Sequence, residues 1–215
     1  MACMPCVRLT VGESLKSLEA ARSRSVSLAA PLSQAQLDFA PRAGRWSIGE
    51  VLDHLMLAEE MYRGEIAQLV QLARAGRRPY LRRTFDDFNV SPLFLPDAVL
   101  SWLDTPLTIM NHFVPDAVRD LVTEFPIVPT RNSDRATPRP RRGATELRTG
   151  LLSSLAETRA LITTNADLDF STMVSEHPLT GPSDVPQILS FLARHEQRHR
   201  VQIDGVRADR RFPSA

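Results

Sequence analysis

Apolar residues recur at steps of three and four along four stretches of the chain, and each stretch is bounded by proline, glycine or a capping residue. In the first, Leu15, Leu18, Ala21, Val26 and Leu28 lie among Glu, Lys, Arg and Ser, which predicts an amphipathic helix over 13–30 that ends before Pro31. Leu37, Phe39, Pro41 and Gly44 then read as a connector. Ser47 followed by Glu50 forms a capping box. Ile48, Val51, Leu52, Leu55, Ala58, Glu59, Tyr62, Ile66, Leu69 and Val70 carry the second helix to about Ala75. The third runs from Thr145 through Leu147, Leu151, Leu155, Thr158 and Ile162 to about Thr164. Ser183 or Asp184 caps the fourth, with Pro186 tolerated in its first turn and Arg207, Arg210 and Arg211 suited to its negative pole. Its inward stripe reads Ile188, Phe191, Leu192, His195, His199, Gln202, Ile203, Val206.

The intervening chain lacks such periodicity. Gly76 to Pro92 is a long connection whose Arg77, Arg78, Arg82 and Arg83 read as solvated loop, although arginine in a loop beside a pocket can also bind a carboxylate or phosphate. Pro96 and Asp97 can start a shorter helix containing Val99, Leu100, Leu103 and a core Trp102, resuming through Ile109, Met110 and Phe113, with another piece from Asp116 to Glu124. Phe125 to Gly143 holds Pro126, Pro129, Pro138 and Pro140 with Arg131, Arg135, Arg139, Arg141 and Arg142, so an irregular, partly mobile crossing segment is expected there. Asp167 to Pro182 reads as a loop. With no convincing alternating strand and no internal repeat, the pattern predicts an all-α protein. It is a four-helix bundle with a long crossing connection, carrying short accessory helices, between the second and third major helices. One domain is expected over 13–208, with a disordered tail over 1–12 and a C-terminal tail over 209–215.

Composition narrows the function. Basic and acidic residues number 26 and 25, so no global field favours nucleic acid or an anionic membrane. The arginine-rich segment also lacks the interleaved aromatics that stack bases. No apolar run reaches the ~18 residues needed to span a bilayer, and no basic start followed by an apolar stretch marks secretion, so a cytoplasmic location is expected by default. The only cysteines, Cys3 and Cys6, form a CxxC ahead of any recognisable element and read as reduced thiols on a tail.

Candidate chemistry centres on histidine. His195 and His199 lie one turn apart on an inward stripe and can aim at a single ion, although core histidines can also simply satisfy a hydrogen bond. His54 sits at the flank of the second helix's stripe, near Val51, Ala58 and Met61, where it can turn inward, although alone it reads as a boundary residue. His195-Glu196-Gln197-Arg198-His199 matches HExxH. Peptidases that use this string need a third ligand, often downstream, but Gly205 stands six residues past His199 and no Glu follows Glu196. Their strand-plus-helix scaffold is also missing, which sets that reading aside.

Three separated strings fit together better. Trp46-Ser47-Ile48-Gly49-Glu50-Val51-Leu52-Asp53-His54-Leu55, then His177-Pro178 to Gly181, then His195 to His199 with Val201-Gln202-Ile203, resemble the DinB-like superfamily of bacterial four-helix metal proteins. The resemblance implies a three-histidine site of His54, His195 and His199, holding a divalent ion, nickel or zinc. Three imidazoles leave coordination positions open, and such a site can lower the pKa of a bound water or thiol. Glu50, Asp53, Glu59, Glu196 and Gln202 become candidates for orienting the rings, with capping or surface roles as the alternative for the carboxylates. His177 is expected near the mouth of the site or bonded to the helix start.

Known relatives include transferases and isomerases that use a low-molecular-weight thiol, so a metal-dependent enzyme with a small-molecule substrate is the expectation. A hydrolase with metal-activated water and a non-catalytic metal-binding or dimerisation module are the rivals. Homodimers are frequent among similar proteins. The proline-rich stretch before Thr145 departs from the family's pattern, and a substrate pocket is the feature it affects most.

Overall fold

Reciprocal caps set where most of the helices begin. Thr10 and Glu13 open α1 (Val11–Ala29), Ser33 and Gln36 open the short α2 (Gln34–Asp38), and Ser47 and Glu50 open α3 (Ile48–Arg74). Asp184 and Gln187 open α5 (Val185–Arg207), with Pro186 in its first turn. The remaining long helix, α4 (Ala144–Thr164), has no side-chain cap on its own N-cap Gly143, and the Ala144 amide donates instead to Gln34 Oε1 at 3.3 Å. This computed structural model describes residues 9–84, 136–177 and 181–214. Cys3, Cys6, Trp102 and the expected accessory helices lie outside the described residues.

The protein is mostly helical, and its long helices share two apolar clusters. Leu15, Leu18, Ile66, Leu69, Ile162, Met173 and Leu189 belong to one; Leu37, Ile48, Leu52, Leu55, Leu147, Leu151 and Ile203 belong to the other. Reading each helix from its N-terminus, α1 and α5 pass from the first cluster to the second, whereas α3 and α4 pass from the second to the first. Two helices that run the same way cannot be joined by a tight hairpin, which is why the chain between α3 and α4 must be long. Where the helices cross between clusters, each carries buried polar groups: Arg22 and Ser25 on α1, Glu59 on α3, Ser154 and Thr158 on α4, and His195, Glu196 and His199 on α5. The apolar halves therefore enclose a polar layer.

The sequence-based expectations need correction in three places. The stretch 167–182 is not plain loop: after a 3-10 turn at Phe170–Thr172, β2 (Val174–His177) pairs antiparallel with β3 (Gly181–Asp184). β1 (Tyr80–Arg82), inside the expected arginine-rich connection, pairs parallel with β2. Strands of three or four residues are too short for alternation to stand out, and β3 opens with Gly-Pro. Second, the connector after α1 contains α2, and α1 begins at Val11, inside the expected N-terminal tail. Third, the C-terminal tail, for which the sequence gives no packing, lies against the fold: Phe212 meets Phe39 edge-on at 5.6 Å and Gln36 Nε2 donates to the Pro213 carbonyl at 2.9 Å. Among the described residues, no helix is long and apolar enough to cross a membrane.

Candidate metal centre

His195 and His199 project from α5 one turn apart, and His54 meets them from the second turn of α3. His54 is not at a solvent boundary, since all three rings are buried. His54 Nε2 lies 3.3 Å from His195 Nε2, and His199 Nε2 lies 3.1 Å from the same atom. One ligand atom from each ring falls within 4.8 Å of the others. Three nitrogens at ~2.05 Å from a tetrahedral ion would stand ~3.3 Å apart, and at right angles ~2.9 Å apart, so the separations of His195 Nε2 from its two neighbours suit a shared small cation.

The tautomers are set from behind. His54 Nδ1 faces the Ala136 carbonyl at 2.7 Å, and His199 Nδ1 faces Gln202 Oε1 at 2.9 Å. Both oxygens are acceptors, so each Nδ1 carries the proton and each Nε2 presents a lone pair. His195 Nε2 can donate to only one of these two neighbours. Without a cation, at least one Nε2 lone pair is left without a donor in a buried space, which is the arrangement a metal relieves. Aromatic rings close the sides: Trp46 lies 4.8 Å from His54 and 6.3 Å from His199, and Phe191 stacks on His195 at 5.6 Å.

The Ala136 carbonyl is in place because Asp53 grips the segment that carries it. The Arg139 amide donates to Asp53 Oδ2 at 2.7 Å, the Arg139 guanidinium to Oδ1 at 2.9 Å, and the Arg142 guanidinium pairs with the same carboxylate. Arg141 turns between them at φ 59°, a left-handed conformation that costs about 1 kcal/mol. Burial raises the Asp53 pKa, but the hydrogen bonds from Arg139 and Arg142 outweigh it and hold the carboxyl below its usual value. The expected partly mobile crossing segment is therefore pinned at 136–142. Replacing Asp53 with Ala should release the carbonyl behind His54 and weaken zinc binding about 10-fold to 100-fold, as read by competition with a chelator. Unchanged affinity would show that His54 needs no such support.

The other candidates for orienting the rings separate into different roles. Gln202 touches His199, as described. Glu50 caps α3. Glu59 and Glu196 grip Arg22 of α1, with Arg22 to Glu59 at 2.8 Å, and Ser25 also donates to Glu196. Thr158 of α4 donates to Glu59 at 2.7 Å, and Arg22 donates to the Leu151 carbonyl at 2.6 Å. One guanidinium thus ties α1, α3, α4 and α5 together within the polar layer. The glutamate of the HExxH string is bound there and does not serve the ring cluster. His177 lies in β2 opposite Gly181, outside the cluster, and burial lowers its pKa to about 4.

Burial also lowers the three clustered histidines. His199 falls to about 3, His195 lies well below the ordinary value, and His54 is lowered despite the Ala136 hydrogen bond. They are neutral and ligand-ready at pH 7. In the metal-free protein, the unfolded chain takes up protons below ~6.5 while the folded one does not, so stability falls as pH falls through that value. The thermal midpoint of the metal-free protein should therefore drop between pH 7.5 and 5, above the range in which Asp53 titrates. A flat midpoint over that interval would contradict the burial of neutral rings.

Sequence reasoning missed Arg22, the Ala136 carbonyl and the Arg139 and Arg142 clamp. Arg22 had a signal: Leu15, Leu18, Arg22 and Ser25 follow steps of three, four and three on one inward stripe.

A mostly helical scaffold that converges three buried imidazoles from two helices defines a class of protein with a site suited to a metal ion. Residues 17–203 match the DinB superfamily, and the chain belongs to it. No curated protein sequence matches the chain.

Proposed function

We propose that this protein is a metal-dependent enzyme. In this reading His54, His195 and His199 hold one divalent ion, nickel or zinc, and a low-molecular-weight thiol is used in a transfer or isomerisation of a small-molecule substrate. The observation that supports it most is the pair of Nε2 lone pairs, on His54 and His199, fixed toward His195 Nε2 by the Ala136 carbonyl and Gln202. Membership of the DinB superfamily supports it independently. When bound, the ion supplies Lewis acidity that favours a thiolate near neutral pH.

The chain's own residues supply the rest. Ala136 and Gln202 keep the Nδ1 protons in place, so the rings stay directed at one point. Trp46 and Phe191 cover the ring faces and exclude water from the ligand shell. The four long helices serve as a bundle that takes ligands from α3 and α5 and leaves the remaining coordination positions to substrate.

Metal analysis of the freshly purified protein, followed by screening of thiols against a panel of electrophiles, tests this. About one nickel or zinc per chain and metal-dependent thiol consumption are expected. Hydrolysis of the panel without thiol would redirect the reading to a hydrolase. A loaded protein that turns over nothing would make it a binding module.

A further inference from the structure

The carboxylates around the ring cluster are each committed to a partner. Asp53 binds Arg139 and Arg142, Glu59 and Glu196 bind Arg22, and Glu50 caps α3. Arg198 is different. It lies on α5 between the two clustered histidines, three residues after His195 and one before His199, and it is half-buried. Among the described residues, Arg198 makes no hydrogen bond or ion pair. Residues three apart on a helix are surface neighbours, so Arg198 stands beside His195 on α5 and directly precedes His199.

A half-buried guanidinium beside a ring cluster suited to a dication is electrostatically unfavourable, because two positive groups share a low-dielectric space. An anion between them removes the conflict and satisfies both. A carboxylate matches the guanidinium, which offers a planar two-pronged donor for a single charge. We propose that Arg198 is a substrate-binding residue that pairs with a carboxylate on the ligand occupying the metal's open side. This rests on the metal-site reading above and adds the substrate class. The carboxylate can belong to the thiol or to the second substrate.

Cobalt(II)-loaded protein provides a readout that does not depend on turnover, through the thiolate-to-cobalt absorption band. Mercaptoacetate and 2-mercaptoethanol differ in carrying a carboxylate or a hydroxyl beside the same thiol. Wild type should bind mercaptoacetate about 10-fold to 100-fold more tightly, or acetate should tighten 2-mercaptoethanol if the carboxylate belongs to the second substrate. Arg198→Met should abolish whichever effect is seen while taking up cobalt at least as tightly as wild type, and Arg198→Lys should retain part of it. Cobalt uptake with no carboxylate effect in wild type, or an effect equal in Arg198→Met, overturns the proposal and leaves the metal site intact. Failure of wild type to take up cobalt overturns the metal-site reading and this proposal with it.

Discussion

Replacing Arg22 with methionine should destabilise the protein by about 3–5 kcal/mol, the largest loss expected from any single substitution. The guanidinium is 1% exposed, and it faces two carboxylates that are themselves almost fully buried, Glu59 at 0% and Glu196 at 1%. Removing it leaves both charges without their cation in the polar layer, and it also frees the Leu151 carbonyl. Urea unfolding with a constant m-value would measure the loss. Methionine keeps much of the side-chain volume, so a large loss would reflect charge and not a cavity. Replacing Arg22, Glu59 and Glu196 together by apolar residues of similar size should recover much of the stability, because no buried charge is then left alone. A loss below about 1 kcal/mol in the single variant would show that water reaches this layer.

Replacing His199 with alanine should abolish tight metal binding. In wild type, metal at about 100 times its dissociation constant should add about 2.7 kcal/mol of stability, and in the variant almost none. The variant should still fold, because Ile188, Leu189, Leu192, Ile203 and Val206 remain buried along α5. Thermal melts of both proteins with and without added zinc or nickel provide the comparison. Equal metal-induced shifts would place the ion elsewhere and leave His195 and His199 as core histidines.

The periodic parts of this fold were legible because long helices repeat their signal. Steps of three and four outlined α1, α3, α4 and α5, and capping residues marked the starts of α3 and α5. His195 and His199 stood out because imidazoles replaced aliphatics on an inward stripe. His54 was placed by resemblance, because its stripe position at a flank left both an inward turn and a boundary place open. The Ala136 carbonyl had no signal at all: a backbone oxygen reaching His54 across 82 positions of sequence depends on packing, not on residue type. Arg139 and Arg142 read as part of a mobile basic stretch until the structure placed Asp53 beneath them. The strands were hidden for a different reason. β2 and β3 satisfy backbone groups over a few residues and carry little hydrophobic pattern, yet they lead directly to the Asp184 cap and so position α5.

The central claim is that His54, His195 and His199 together hold one ion. X-ray absorption at the metal edge of the zinc-loaded protein, with His54→Ala measured alongside, tests it most directly. The prediction is imidazole scattering from three rings at ~2.0–2.1 Å in wild type, reduced to two in the variant. A spectrum that is the same in both proteins, or one dominated by sulfur at ~2.3 Å as Cys3 and Cys6 would give, would contradict it.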